Sequence, residues 1–253
     1  MKQGDFTNLA KHYINRPAYS ELLLEKLLKT MDLKPDITTK VADIGAGTGK
    51  FTKMLSELGL AVTAVEPNDA MREEGKIYTD GQDISWVSGS GENTTLSEGY
   101  FDWACMASSF HWTDPDKSLP EFARILKSGG HFTAIWNPRN IKISPFHMNI
   151  EEQIRSIVPE LNRVSSGAQN AKEWEYVLTS TGDFCDCVFM ECDHTEVMTK
   201  ERYMGAWHSV NDIQAQAGAD RWAKIIDMIE NEIKDMQFIE VPYKIRAWTV
   251  KKA

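Results

Sequence analysis

The chain has 253 residues, 42% hydrophobic and 26% charged, with 28 Lys and Arg against 37 Asp and Glu for a formal net charge of -9. That length allows one large domain or two small ones and needs no staple to hold a core, and the composition excludes a disordered, collagen-like or disulfide-scaffold chain. The acidic balance disfavours nucleic acid as a partner, and no run of eighteen apolar residues would span a membrane.

Residues 1–5 lead into Phe6-Thr7-Asn8 without the apolar stretch of a signal peptide, so a cytoplasmic setting is expected. The first forty residues read as helical. Pro17 and Ser20 mark the start of a helix whose Leu23, Leu24, Leu27 and Leu28 share one stripe, and Pro35 lies beyond its end. Lys40 to Ile44 is a short strand running into Gly45-Ala46-Gly47-Thr48-Gly49. Phe51, Met54, Leu55 and Leu58 form a helix face closed by Gly59. Leu60 to Val65 is a second strand ending at Glu66-Pro67, and Asp69 to Lys76 a second helix in this run. Ile84 to Val87 and Phe101 to Met106 are the next strands. A helix follows on Leu119, Phe122, Ala123 and Leu126, with Pro120 expected in its first turn or kinking it. Lys127 to Gly130 reads as a turn, and His131 to Trp136 as a fifth strand. This alternation predicts an α/β fold, a doubly wound and mostly parallel sheet.

Residues 138–242 differ. Ile150, Ile154, Ile157 and Val158 share one helix face; Trp222, Ile225, Ile226, Ile229 and Ile233 share another. Strand-like pieces occur only near 188–197 and 243–250. The expectation is a single domain over 1–253: a helical segment 1–40, a core 41–137, a second half 138–242 with helical insertions, and a closing strand 243–253. Of the four cysteines, Cys185, Cys187 and Cys192 cluster near His194. In an extended segment Cys185 and Cys187 share one face while Cys192 and His194 share the other, so one strand cannot gather them around a metal. Reduced cysteines and no metal site are expected.

Three features converge on residues 41–66. Glycines at 45, 47 and 49 let the backbone take left-handed dihedrals, approach a ligand and open a helix whose amides favour an anion. The carboxylate of Asp43 can hold an ammonium. Glu66, at the end of the next strand, can accept from both hydroxyls of a ribose. The helix spans roughly 14 Å and the returning strand roughly 17 Å, so Glu66 comes back beside the glycines. A dinucleotide loop would place its third glycine at position 50, which is Lys50. A nicotinamide-dependent oxidoreductase is therefore disfavoured.

Val41 to Gly49 resembles the first motif of class I S-adenosylmethionine-dependent methyltransferases, and Glu66 matches their ribose-binding acid. Gly89-Ser90-Gly91-Glu92-Asn93 resembles their adenine loop, Phe101 to Ala104 their fourth strand, and Arg124 to Gly130 the turn before the fifth, with Ser128 where proline is commoner. Residues 13–19 and Phe110-His111-Trp112 resemble the small-molecule branch that includes trans-aconitate methyltransferase. The resemblance covers residues 10–137 and thins out beyond. It implies a seven-stranded Rossmann-like sheet with an antiparallel last strand, with 138–242 forming an acceptor lid, and S-adenosylmethionine as cofactor. The expected cofactor-binding residues are Asp43, Gly45, Ala46, Gly47, Gly49, Glu66, Pro67, Met71, Ser90, Gly91 and Glu92, with Arg16 and Tyr19 folding over the donor.

In open parallel sheets ligands sit beyond the carboxyl ends of the strands. His111 and Trp112 follow strand four; Trp136, Asn137 and Arg139 follow strand five. His111 is the candidate catalytic residue, and Trp112, Trp136, Asn137, Arg139, Trp207 and His208 are the candidate contacts to a small-molecule acceptor. Transfer onto oxygen is expected, either a hydroxyl, where a general base helps, or a carboxylate, where a cation would bind the acceptor. The competing class is a protein that binds the donor without catalysis.

Overall fold

The structure is a computed structural model that describes residues 9–162 and 171–253. Helix α1 spans Ala10–Tyr13 and α2 spans Glu21–Thr30; the first eight residues of the expected helical segment lie outside the described part. The elements then run β1 (Lys40–Ile44), α3 (Lys50–Glu57), β2 (Ala61–Val65), α4 (Asp69–Tyr78), β3 (Ile84–Val87) and β4 (Phe101–Ala107). They continue with α5 (Pro115–Ile125), β5 (Leu126–Trp136), α6 (Pro145–Ile157), α7 (Ala171–Thr179), β6 (Phe184–Thr199), α8 (Lys200–His208), α9 (Asn211–Glu232) and β7 (Phe238–Lys252).

Local chemistry explains most boundaries. The Ser20 side chain caps α2 by accepting from the Leu23 amide, Asn68 caps α4 through Met71, and Asp114 caps α5 with Pro115 in its first turn. The seven strands lie in the order β3-β2-β1-β4-β5-β7-β6. β1 pairs in parallel with β2 and β4, β2 with β3, and β4 with β5, while β7 runs antiparallel to β5 from His131 opposite Lys251 to Trp136 opposite Arg246. The chain winds outward from β1 to β3 and then returns to β4, so the carboxyl ends of β1 and β4 flank the switch in winding direction where such sheets bind ligands.

The described residues group into two compact units. One comprises 18–137, 171–192 and 245–253. Its central strands β1 and β4 are buried on both faces, as a parallel sheet covered by helices requires. Ala42, Ile44, Ala104, Met106, Phe132 and Ala134 enter one core with Phe122. Val41, Val62, Trp103, Cys105 and Ile135 enter the other with Leu23, Leu24 and Leu27 of α2. This unit is the sheet unit below. The other, the helical unit, comprises 9–17, 138–162 and 193–244. It has its own core, in which Ile150 and Ile154 of α6 meet Ile213, Ile225 and Ile229 of α9, Tyr203 and Trp207 of α8, and Val241 of β7. The isoleucine faces of the second half thus build a core of their own.

Three local differences stand out. Lys127 to Gly130, expected as a turn, continues β5: Leu126 pairs with Phe101, pairing resumes at His131 opposite Trp103, and the intervening residues form an irregularity with Gly129 at φ 73°. Leu126 therefore opens the strand instead of closing the α5 face. Pro120 lies inside α5, one turn deeper than its first turn. α9 is broken at Gly218, whose φ of 72° and ψ of 171° no helix contains. Among the described residues no helix is long and apolar enough to cross a membrane.

Candidate functional site

The glycine loop leaves β1 at Gly45 and enters α3 at Gly49. Gly45, Gly47 and Gly49 all have left-handed φ, at 68°, 60° and 76°. Two of them also lack room for a side chain. A Cβ on Gly45 would meet Ser109 Cβ and Oγ at 2.8 Å, and one on Gly49 would meet the Trp86 ring at 3.0 Å. At Gly47 the nearest atom is Met71 Cε at 3.4 Å, so a side chain there would fill the mouth of the loop. The Gly45 and Ala46 amides donate to Val65 O at 2.8 and 3.0 Å, which ties the loop to the end of β2.

Glu66 completes this tie. Its Oε2 accepts from the Gly47 amide at 2.8 Å and its Oε1 from the Asn68 amide at 2.9 Å. A carboxylate has about four acceptor positions, so two remain for ligand hydroxyls. Desolvation raises the Glu66 pKa, opposed by those two amides and by Arg72. Asp43 is fully buried: its Oδ2 accepts from the Thr52 hydroxyl at 2.5 Å, and the Cys105 thiol lies 4.0 Å from Oδ1. Desolvation pushes its carboxyl up to about 7, helped by Glu66 and opposed by Thr52.

The other expected donor residues are less uniform. Met71 is buried and its methyl faces Gly47, whereas Pro67 is exposed. Glu92 accepts from the Ser90 hydroxyl at 2.9 Å and from the Asp114 amide at 3.0 Å, tying the loop after β3 to the start of α5. A Cβ on Gly91 would strike Thr113 Cγ2 at 2.6 Å. Tyr19 is buried, with its hydroxyl 2.8 Å from Ser108 Oγ; Ser108 donates to Asn137 Oδ1 at 3.3 Å, and Asn137 Nδ2 donates to Ala18 O at 3.1 Å. Ser108 holds this chain from a left-handed φ of 55°. It and Ser109, whose hydroxyl donates to Ile44 O at 3.2 Å and which stands against Gly45, lie beside the glycine loop and were not singled out by the sequence analysis. A serine pair just after a strand carries no pattern that would mark it.

His111 lies in the 3-10 turn Phe110–Trp112 that follows β4. The Trp136 indole N–H donates to His111 Nδ1 at 3.2 Å. An indole nitrogen only donates, so Nδ1 accepts and the neutral ring carries its proton on Nε2. Nε2 is buried and, among the described residues, has no hydrogen-bond partner. Desolvation lowers the His111 pKa to about 4, so the ring is neutral at pH 7. Trp112, 43% exposed, packs beside it at 4.8 Å between ring centroids, and Trp136 is buried between Trp174 and Trp248.

The remaining expected residues belong to the helical unit. Arg16 donates to Ser209 Oγ at 2.5 Å and Ser209 O at 2.8 Å, with its guanidinium over the Tyr13 ring. The His208 ring lies 5.4 Å from that of His12, tilted by 40°, and desolvation and His12 lower its pKa. Arg139 lies with its guanidinium 4.1 Å from the centre of the Trp207 ring. A shallow depression of about 430 Å³ on this unit, lined by Ile141, Met148, Glu151, Glu152, Arg155 and Ser156, holds none of the expected site residues. Among the described residues no three His, Cys, Asp or Glu side chains gather in a way that would hold a metal.

The site at the ends of β1 and β2 and the sheet order define a Rossmann-like methyltransferase fold. Residues 42–134 match a family profile described as a methyltransferase domain. An uncharacterized methyltransferase of Mycobacterium tuberculosis is 34% identical over 51% of this chain and 49% of its own length, so the chain matches about half the length of that relative. An uncharacterized methyltransferase-like protein of Schizosaccharomyces pombe is 22% identical over 97% of this chain and 94% of that one. A solved structure, a putative type II methyltransferase from Anaeromyxobacter dehalogenans, superposes with a TM-score of 0.65 at 18% identity, covering 92% of this chain and 97% of the other.

Proposed function

We propose that the protein is an S-adenosylmethionine-dependent methyltransferase acting on a small-molecule acceptor, on oxygen, in the cytoplasm, with neither nucleic acid nor membrane as partner. The observation that carries this reading is the Glu66 clasp: one buried carboxylate holds the Gly47 amide at 2.8 Å and keeps acceptor positions for a ribose. The residues fit the donor. The space before Gly47 is a cradle that a Cβ would occupy, and Asp43 offers a carboxyl poised to ionise beside an ammonium. The likeness of Tyr13–Tyr19 and Phe110–Trp112 to the small-molecule branch supports a small acceptor.

When bound, the sulfonium supplies a methyl group already activated for in-line displacement. The chain's part is to align the acceptor and exclude water. His111 does this as a donor: with Nδ1 occupied by Trp136, it offers Nε2–H to an acceptor oxygen and removes no proton. Tyr19, Ser108 and Asn137 brace the chain at the ends of β4 and β5. The test is calorimetric titration with S-adenosylmethionine, S-adenosylhomocysteine and NAD, followed by detection of S-adenosylhomocysteine in metabolite mixtures. Micromolar-range binding of the first two and none of NAD is expected. Failure to bind S-adenosylhomocysteine would overturn the reading; binding without turnover on any acceptor would point to a non-catalytic donor-binding protein.

A further inference from the structure

Helix α7 sends one aromatic side chain into the surroundings of His111. Trp174, Val177 and Leu178 lie at i, i+3 and i+4, so they share a face of α7, and that face packs against the core that holds Phe110, Phe122 and Phe132. Trp174 is half-buried there and makes two ring contacts. It stacks on Trp136 with centroids 4.7 Å apart and planes 26° apart, and it lies 5.5 Å from Phe110 at 56°. Trp136 is the residue whose indole N–H donates to His111 Nδ1 at 3.2 Å, and Phe110 immediately precedes His111 in the 3-10 turn. The same side chain thus touches the donor of that hydrogen bond and the chain neighbour of its acceptor. All four residues belong to the sheet unit.

An indole has a single N–H, and a hydrogen bond weakens steeply as it bends, so the tilt of the Trp136 ring decides whether Nδ1 is held. The sheet fixes one side of that ring. Trp248, 1% exposed, meets it edge-on at 5.5 Å and 75°, and β7 carries Trp248 opposite Ala134, two residues before Trp136. The stacked face is covered from α7. Stacked rings hold each other's planes, an orientational preference that an aliphatic side chain lacks. The rings against His111 itself are Trp112 at 4.8 Å and Trp136 at 6.5 Å between centroids; neither carries charge, and burial is the cause of its low pKa.

We propose that Trp174 is a positioning residue for His111: by stacking on Trp136 it aims the indole N–H at Nδ1 and so keeps Nε2–H available to the acceptor oxygen, a role that rests on the methyl-transfer reading. Trp174 acts through Trp136. Without the stack the indole turns, Nδ1 loses its donor, the imidazole proton distributes over both nitrogens and water reaches the ring.

The test is heteronuclear NMR of the full chain with labelled histidine and tryptophan nitrogens, without donor or acceptor. His111→Gln and Trp136→Phe assign the two groups by the loss of their signals. In the wild type His111 should carry its proton on Nε2 and stay neutral down to about 4. In Trp174→Met and Trp174→Leu, which fill space without a ring, the Trp136 indole N–H should exchange with solvent ten-fold or more faster. The proton affinity of His111 should rise ten-fold or more, with part of the neutral ring protonated on Nδ1. Trp174→Phe keeps a ring that can stack and should stay within three-fold of wild type in both readings. Thermal unfolding checks that the variants fold. Unchanged exchange and titration in the Met and Leu variants overturn the proposal. So does a Trp174→Phe variant that behaves as they do, or failure of both aliphatic variants to fold, since Trp174 would then only fill the core. S-adenosylhomocysteine affinity, measured on the same samples, should stay within two-fold across the variants; a larger loss would place Trp174 in the donor site and overturn the positioning role. Absence of S-adenosylhomocysteine binding in the wild type would instead overturn the methyl-transfer reading and leave the NMR result standing.

Discussion

Replacing Asp43 by Asn tests the electrostatics of the proposed donor site directly. The carboxyl is fully buried and desolvation is the largest cause of its rise from 3.8 to about 7. A rise of about three units corresponds to roughly 4 kcal/mol at 1.36 kcal/mol per unit. The sign follows from proton linkage. The native state holds the proton more tightly than the unfolded chain, so this stability is fully present below the unfolded value near 4 and is lost as pH climbs through about 7. Asn has the same shape, keeps an oxygen for the Thr52 hydroxyl and does not titrate. Relative to wild type, Asp43→Asn should therefore gain stability steadily from pH 4 to pH 8, by up to roughly 4 kcal/mol. For a chain of this size that is roughly 8–16 °C in melting temperature. Urea and thermal unfolding of both proteins at unit pH steps measure it. Wild-type and variant curves that run parallel over this range would refute the argument, because Asp43 would then ionise on folding at no cost. In the same series S-adenosylmethionine affinity should rise with pH through about 7 in the wild type only, since the ammonium favours the ionised carboxylate.

Glu66→Gln keeps the side chain's size but loses its charge and one acceptor; S-adenosylhomocysteine affinity should fall by about 10- to 100-fold, as losing charge-assisted bonds of about 1.5–3 kcal/mol implies, and unchanged calorimetry would remove the ribose assignment. His111 is neutral above about 4, so turnover on the true acceptor should show no His111 titration between pH 6 and 7; a rise through that window abolished by His111→Ala would restore the general-base role. Gly75→Ala in α4 drives a Cβ to within 2.3 Å of the Trp86 ring and should cost about 1–3 kcal/mol by denaturant unfolding, while wild-type stability would mean that the indole moves freely.

The meeting of the glycine loop and Glu66 was legible because they are close in sequence and each has a local signature. Glycines need left-handed φ, and one helix plus one strand return Glu66 to them, as the 2.8 Å clasp bears out. The strands of the sheet unit were legible for a similar reason: in β1, Val41, Ala42 and Ile44 make a short, mostly apolar run that stops at a glycine. The glycine signal misled at Lys127 to Gly130, where two glycines serve an irregular strand pairing and not a turn. The tautomer of His111 was hidden because Trp136 sets it from the next strand, and its low pKa because burial is not read from sequence. Arg139 and Trp207, which the structure brings into contact, were both picked from the sequence, but their neighbours were not. Tyr203, Tyr243 and His147 come from α8, β7 and α6, and in sequence each reads as an ordinary amphipathic residue.

Strand β7 serves both units. Its first residues, up to Lys244, close the isoleucine-rich core of the helical unit, and from Ile245 onward it lies against β5. The Ile150–Ile154 and Ile225–Ile229 faces meet each other, but their core also takes Ile239, Val241 and Tyr243 from the fifteen-residue strand whose Ile245, Ala247, Trp248 and Val250 enter the two cores of the sheet unit. A chain cut before Phe238 would therefore leave every one of these cores short of side chains at once.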